Sequence, residues 1–148
     1  MSLAAFTIRL LELSDFDRGY LQLLSQLTMV GDVTKQQFRE HLTSILVSED
    51  YNIVVIEDNA SKRIVGSATL FIERKLIHSC GRVGHIEDVV VDQSCRGSGI
   101  GGMLLDDLTT RAQRCGCYKV ILDCAPHNVG FYDKCGFVEN GVQMAKYY

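Results

Sequence analysis

The sequence is short of the features that mark membrane, secreted and nucleic-acid-binding proteins. It has one proline and no tryptophan in 148 residues, and no apolar run approaches the length of a membrane span. The N-terminus lacks the basic and then apolar stretch of a signal peptide. A formal net charge of −3 leaves no broad basic face for nucleic acid. We therefore expect neither a membrane nor a nucleic acid as partner. Cytoplasmic location is the default expectation, with receptor-read organellar targeting left open.

The composition is that of a folded protein. Hydrophobic residues make up 47% of the chain, too many for a disordered segment, and 148 residues suffice for one core. We predict a single domain over residues 1–148. The six cysteines form no Cys-x-x-Cys pair, so reduced thiols are expected and no metal. One minor alternative is zinc held by four of them, although their spacing fits no standard motif: Cys115, Cys117, Cys124 and Cys135.

The most informative stretch runs from Glu87 to Gly102. It begins with three β-branched residues typical of a strand: Val89, Val90 and Val91. Apolar residues then recur every four positions from Ile100, which indicates a helix. The connecting loop contains Arg96 and several glycines. Glycines let the backbone approach a bulky anion, and the first turn of a helix offers unpaired N–H groups. The stretch therefore predicts a pyrophosphate site.

Three kinds of glycine-rich loop have glycines between a strand and a helix in this way. A nucleoside-triphosphate loop requires Lys and then Ser or Thr after its last glycine, whereas Met103 follows Gly102. The dinucleotide spacing of glycines is present at Gly97, Gly99 and Gly102, but it lies late in a short chain. The segment from Arg96 to Gly101 resembles the acetyl-coenzyme A loop of the GCN5-related N-acetyltransferases.

The order of predicted elements is β-α-α-β-β-β-α-β-α-β. The ten segments are Phe6 to Leu11, a helix capped by Ser14, a helix capped by Thr34, Tyr51 to Glu57, Ile64 to Glu73, the strand ending at Val91, Gly99 to Cys115, Tyr118 to Cys124, a helix capped by Asn128, and Phe137 to Tyr148. An antiparallel first half followed by βαβ units predicts an α/β fold, with a mixed central sheet and helices on both faces.

This order matches the GCN5-related N-acetyltransferase fold, and longer segments are similar to the glucosamine-6-phosphate N-acetyltransferase family. The segments are 27–28, 75–78, 85–91, 123–124 and 128–137. The resemblance implies acetyl transfer from acetyl-CoA to the amine of D-glucosamine 6-phosphate. The product would be N-acetyl-D-glucosamine 6-phosphate, used for UDP-N-acetylglucosamine synthesis. It also implies a homodimer whose sugar site takes residues from both subunits.

The resemblance further implies which residues hold acetyl-CoA. These are Val89, Val90, Val91, Arg96, Gly97, Ser98, Gly99, Ile100, Gly101, Gly102, Asn128, Gly130, Phe131 and Tyr132. In this superfamily the strand before the loop separates from its neighbour, and its free N–H groups meet the thioester carbonyl.

The resemblance implies catalytic roles for Asp123, Tyr132 and Glu87. Tyr132 would donate a proton to the departing sulfur, and Asp123 would orient the amine or accept its proton. Glu87 is a second candidate base. Strand alternation places Glu87 and Asp88 on opposite faces, with Glu87 on the face of Val89.

The resemblance places a larger set at the sugar phosphate, including cations for its dianionic group. The set is Thr28, Lys75, Leu76, Ile77, His78, Glu87, Asp88, Val89, Tyr118, Lys119 and Asp123. Two other functions stay open: acetylation of a different amine, such as a polyamine or a protein N-terminus, and a non-catalytic acyl-CoA-binding module. Direct attack is expected, with Cys124 or Cys135 as minor candidates for an acyl carrier.

Overall fold

A computed structural model describes residues 5–148, which form one five-stranded sheet flanked by helices. The strands are β1 Phe6–Leu10, β2 Tyr51–Asp58, β3 Ile64–Arg74, β4 Arg82–Val91 and β5 Cys117–Ile121. The helices are α1 Tyr20–Leu24, α2 Lys35–Leu46, the single turn α3 Ile77–Cys80, α4 Ile100–Arg114 and α5 Val129–Lys134, with 3₁₀ turns at Leu13–Arg18, Gln93–Cys95 and Pro126–Asn128. None of the helices within 5–148 is long and apolar enough to cross a bilayer.

The strands lie in chain order across the sheet. The first four are antiparallel, and β5 runs parallel to β4 because α4 carries the chain back across the sheet. The buried face of α4 contains Ile100, Leu104 and Leu108 and packs on one side of the sheet. On the other side, Leu23 of α1 and Phe38 of α2 pack against a second apolar cluster. The prediction of a mixed sheet with helices on both faces is confirmed.

Local sequence signals specify α2 but not the first helix. The Thr34 hydroxyl accepts from the Gln37 N–H at 3.2 Å, and the Gln37 side chain accepts from the Thr34 N–H at 2.9 Å, as a capping box requires. The prediction that Ser14 caps the first helix is wrong. That cap position is Glu12, and Gly19, with φ of +87°, divides the segment into a 3₁₀ turn and α1.

A buried ion network ties the start of the chain to the sheet. Arg9 on β1 donates to both carboxylate oxygens of Asp15, at 2.7 and 2.8 Å, and to Glu57 on β2 at 2.7 Å. Asp15 is fully buried, and Arg18 also donates to Glu57 at 2.6 Å. The hydrogen bond from Arg9 lowers the pKa of Glu57, and the hydrogen bond to Asp15 raises the pKa of Arg9, so Glu57 and Arg9 stay charged.

The prediction of a final strand over Phe137–Tyr148 is wrong for the isolated chain. Residues 137–148 form no strand in the described structure. Val138, Val142, Met144 and Tyr147 on this segment are more than 80% exposed. β-Propensity is expressed only where a neighbouring strand and a buried face are available, and this single chain offers the segment neither.

Candidate active site

A wedge opens between β4 and β5. The parallel pairing begins at Arg82 and ends where His85 pairs with Ile121, while β4 continues to Val91. Asp92 donates its N–H to Val65 on β3. Alternate amides of an extended strand point to opposite edges, so the Val91 N–H points into the wedge. This agrees with the expectation that main-chain donors here are free of a partner strand.

An irregularity in β4 changes which face each carboxylate occupies. Ser67 pairs with Val90 and Thr69 with Glu87, so β4 has one extra residue at Asp88, whose φ is +52°. Val89 packs with the cluster beneath α4, as Ile86 does. The prediction that Glu87 shares a face with Val89 is therefore wrong, because the bulge shifts the alternation by one residue.

Three carboxylates lie close together at the wedge. Burial, followed by the charges of Asp123 and Asp88, raises the pKa of Glu87. Asp123 follows the end of β5 and Glu87 lies on β4, so the two stand on opposite sides of the opening. The structure thus brings Glu87, Asp88 and Asp123 together, and the cluster favours a cationic or proton-releasing group between them.

The loop before α4 combines left-handed glycines with an uncapped helix start. Gly97 and Gly99 have φ of +79° and +90°, which non-glycine residues adopt at a cost. α4 begins directly after Gly99 without a side-chain cap, so its first-turn N–H groups face outward at the positive end of the helix dipole. The Arg96 Nε donates to the Val91 carbonyl at 3.3 Å. This side chain therefore sits between the end of β4 and the loop.

Gly101 has a packing role that the sequence did not reveal. A Cβ on Gly101 would lie 2.8 Å from Cζ of Phe131, which is too close. The same atom on Gly102 would have no heavy atom within 4 Å. The missing side chain at Gly101 thus lets α5 lie against the first turn of α4.

Alanine substitutions at Gly101 and Gly102 should differ in their effect on stability. Gly102→Ala should raise the free energy of unfolding by up to about 1 kcal/mol, because alanine favours the helix and has room there. Gly101→Ala should lose that gain, because Phe131 must move. Urea unfolding of both variants measures the difference. An equal gain in both would show that Phe131 adapts without cost.

Tyr132 lies on α5 and faces the wedge. Burial, followed by the nearby thiols of Cys124 and Cys135 and the Asp123 carboxylate, raises the pKa of its phenol. The ring packs against Phe131 and Phe137, with centroids 5.0 and 6.1 Å away. A phenol with a raised pKa stays protonated and can donate a proton. Tyr132 and Asp123, separate in sequence, are therefore neighbours in the fold.

A cluster that we call cationic, after Lys75 and Lys119, lies at the other end of β4 and also contains His78 and Tyr118. The His78 ring stacks on Tyr118 with centroids 4.2 Å apart, and the Lys119 Nζ lies 5.9 Å from the Tyr118 ring. This contact joins the loop that begins at Lys75 to the start of β5. Leu76 and Ile77 between them are exposed. His78 is therefore a neighbour of Tyr118 and Lys119 in the fold, although it is separated from them in the sequence.

Sequence reasoning missed two residues beside this cluster. Glu73 contacts both Lys75 and His85, at 2.6 and 2.8 Å. The available signal was spacing, because alternation places Glu73 and Lys75 on the same side of β3 as it ends.

Thr28 is not brought to the cationic cluster. Two residues before it, the Gln26 side chain bonds to Asp92 and to the Gln93 N–H, at 2.8 and 2.9 Å, just beyond the end of β4. The Lys75 N–H instead bonds to Gly81, next to the start of β4. The ten residues of β4 separate these positions by about 30 Å. Gln26 and the Lys75 N–H therefore lie at opposite ends of β4.

The remaining expectations concern Asn128, Gly130 and the cysteines. Asn128 occupies the position before α5, but its side chain makes no capping bond, so the predicted cap is wrong. Gly130 is exposed on α5. All six cysteines are free thiols. Within residues 5–148, no three His, Cys, Asp or Glu side chains are grouped to hold a metal ion, and the four-cysteine alternative gains no support.

Comparison with known proteins identifies the family. The sequence model of the Acetyltransferase (GNAT) family matches residues 17–137, most of the chain. The chain belongs to the acetyltransferase (GNAT) family. The fold described above is thus that of this family, and the resemblance to the GCN5-related N-acetyltransferases is confirmed.

Individual relatives are similar to this chain over most of its length. Glucosamine 6-phosphate N-acetyltransferase 1 of Oryza sativa subsp. japonica is 46% identical over 97% of this chain and 88% of its own. The Candida albicans glucosamine 6-phosphate N-acetyltransferase is 49% identical over 94% of this chain and 93% of its own. The crystal structure of the Arabidopsis thaliana glucosamine-6-phosphate N-acetyltransferase superposes with a TM-score of 0.94 at 43% identity, covering 97% and 98% of the two chains.

Proposed function

We propose that this protein transfers the acetyl group of acetyl-CoA to the amine of D-glucosamine 6-phosphate. The products are N-acetyl-D-glucosamine 6-phosphate, a precursor for UDP-N-acetylglucosamine synthesis, and CoA. The observation that carries the proposal is the opening between β4 and β5, with Glu87 on β4 and Asp123 just after β5 on its two sides. Relatives 46% and 49% identical bear the name of this activity, which supports the choice of acceptor.

Acetyl-CoA binding is assigned to the loop and helix end before the wedge. The first-turn N–H groups of α4 and the Arg96 guanidinium suit a pyrophosphate. Diphosphate held there directs the pantetheine arm along β4. The thioester carbonyl then reaches the main-chain N–H of Val91, which stabilises the oxyanion that forms during transfer.

The transfer proceeds by direct attack. The neutral amine adds to the thioester carbon, and a C–N bond forms as the carbonyl becomes an oxyanion. One proton leaves the nitrogen for Glu87 or Asp123, directly or through water. The C–S bond then breaks, and Tyr132 donates its proton to the sulfur. The products are an amide and a thiol, and no acyl-enzyme is formed.

The wedge carboxylates predict a pH-dependent difference in stability. Folding raises the pKa of Glu87, so its ionisation opposes folding. Near pH 3 this carboxyl is protonated in both states, since an unperturbed Glu titrates at about 4.3. As the pH rises from the unfolded-state pKa of Glu87 through its folded-state pKa, the wild type loses free energy of unfolding. The Glu87→Gln variant cannot ionise at this position and does not lose it.

We therefore expect Glu87→Gln to unfold at a higher temperature than the wild type at pH 8, and at the same temperature near pH 3. Thermal unfolding at both pH values measures this. Glu40→Gln, on the exposed side of α2, is the control. Its unfolding temperature should equal that of the wild type at both pH values. A Glu87→Gln advantage that persists unchanged at pH 3 would contradict the explanation.

A homodimer accounts for the separation of the predicted sugar contacts. In one chain, Gln26, two residues before Thr28, and the Lys75 N–H lie at opposite ends of β4, a strand of ten residues that spans about 30 Å. A second copy can supply one of the two sets to the same sugar. The exposed apolar side chains of residues 138–147 give such a copy a surface to cover. Light scattering should give a mass near twice 16.5 kDa.

The acceptor is tested by measuring thiol release from acetyl-CoA. We expect turnover with D-glucosamine 6-phosphate, and at least tenfold lower kcat/KM with glucosamine or spermidine, because the cationic cluster has no phosphate to bind. Equal rates with the unphosphorylated sugar would remove the reason for this acceptor. CoA binding without turnover would instead favour a non-catalytic module. Parallel initial-rate lines would indicate an acyl-enzyme, in place of the intersecting lines expected.

A further inference from the structure

Glu73 makes contacts that the reaction above does not use. It lies next to the end of β3, and its two carboxylate oxygens bind different partners. Oε1 accepts from the Lys75 Nζ at 2.6 Å, and Oε2 lies 2.8 Å from the His85 Nε2. These two bonds lower the pKa of Glu73, which keeps the carboxylate charged. Glu73 thus bridges a residue of the candidate phosphate site to one within the sheet.

The His85 end of this bridge is rigid. His85 lies on β4 and pairs with Phe71 on β3 and with Ile121 on β5. Its ring also packs on Phe71, with centroids 6.0 Å apart. A side chain based on a strand that is paired on both edges has little freedom, so it provides a fixed point for the Glu73 carboxylate.

The Lys75 end is held at two places. Its N–H donates to the Gly81 carbonyl at 2.8 Å, which closes the base of the loop between β3 and β4. Its ammonium carries three donors, of which Glu73 takes one and leaves two. The Lys75 side chain is 29% exposed, well below the neighbouring Arg74 at 63%. A long side chain is thus ordered before any ligand arrives.

We propose that Glu73 is a positioning residue, which anchors the Lys75 ammonium to the sheet through His85 and presents it to the phosphate of the acceptor. This inference rests on the proposed function. Glu73 does not touch the substrate in this account. It restricts the Lys75 side chain before the substrate arrives, so less conformational entropy is lost on binding. The disadvantage is that one carboxylate lies near the dianionic phosphate of the acceptor.

The first test is whether Glu73→Ala changes KM without changing kcat. Glu73→Ala should raise KM for D-glucosamine 6-phosphate about five- to tenfold, the effect of leaving one long side chain to be ordered on binding. kcat should stay within about twofold, and KM for unphosphorylated glucosamine should not change. Glu73→Gln keeps an acceptor for Lys75 and should show a smaller rise. An unchanged or lower KM for the sugar phosphate in Glu73→Ala would overturn the proposal.

A double-mutant cycle tests whether Glu73 acts through Lys75. The Glu73→Ala effect should vanish in a Lys75→Ala background, and an undiminished effect there would also overturn the proposal. Asp50→Ala is the matched control. It breaks the neighbouring Arg74–Asp50 ion pair, 2.7 Å long, without freeing Lys75, and it should leave KM unchanged.

A binding measurement separates this inference from the acceptor assignment. Glucose 6-phosphate carries the phosphate but no amine. Calorimetry should show a five- to tenfold weaker Kd for it in Glu73→Ala than in the wild type. A wild type that binds glucose 6-phosphate but acetylates no glucosamine 6-phosphate would contradict the proposed function alone. Equal Kd values in both proteins would contradict the role of Glu73 alone.

Discussion

Tyr132→Phe is expected to lower kcat about 100-fold, the effect of removing a positioned proton donor. The phenol sits at the wedge beside Asp123, and burial raises its pKa, so it is protonated at neutral pH. The ring packing against Phe131 and Phe137 is kept by phenylalanine. Acetyl-CoA affinity should therefore stay nearly the same. Steady-state kinetics and calorimetry with CoA measure the two quantities.

Tyr148→Phe is the control for this substitution, because Tyr148 is fully exposed at the end of the chain and far in sequence from the wedge. It should keep the wild-type kcat. If kcat of Tyr132→Phe is also unchanged, the phenol only packs and the leaving thiolate needs no donor. A parallel fall in CoA affinity would instead mean that the Tyr132 hydroxyl positions the cofactor.

Arg9→Met should lower the free energy of unfolding by about 3–5 kcal/mol, the range for breaking a buried ion pair from one side. Asp15 is fully buried and takes both of its charged hydrogen bonds from Arg9. Among residues 5–148, the partner that its carboxylate would keep without the guanidinium is the Glu12 N–H, at 2.8 Å. Glu57 would still have Arg18 and Lys62, so the loss falls mainly on Asp15.

Arg74→Met is the matched control for Arg9→Met. Arg74 forms a single ion pair with Asp50, and its side chain is 63% exposed. Exposed pairs contribute about 0–1 kcal/mol, so urea unfolding should show a small change. Similar losses in the two variants would show that burial of Asp15 does not set the strength of the network.

Much of the fold and part of the site could be predicted from local patterns. Thr34 and Gln37 form the capping box that their types and spacing indicate. The period-four residues of α4 are buried, and Gly97 and Gly99 adopt left-handed backbone as the loop requires. Each of these features depends on residues within one or two turns of each other, so the chain itself carries the information.

The predictions that failed depend on distant partners. Alternation placed Glu87 on the face of Val89, but the bulge at Asp88 shifts the register, and a bulge is set by how two strands pair. The final strand predicted over 137–148 does not form, because a strand needs a pairing partner and the sheet of the described residues ends at β5.

By itself the sequence determined most of the element types, the acetyltransferase loop and the candidate residues, because periodicity and turn chemistry are local. The tertiary structure alone decided which candidates meet. It sets Glu87 of β4 and Asp123 after β5 on opposite sides of the wedge and keeps Gln26 and the Lys75 N–H at opposite ends of β4. The physical reason is that strand pairing and burial fix distances between residues far apart in the chain, and no local pattern encodes those distances.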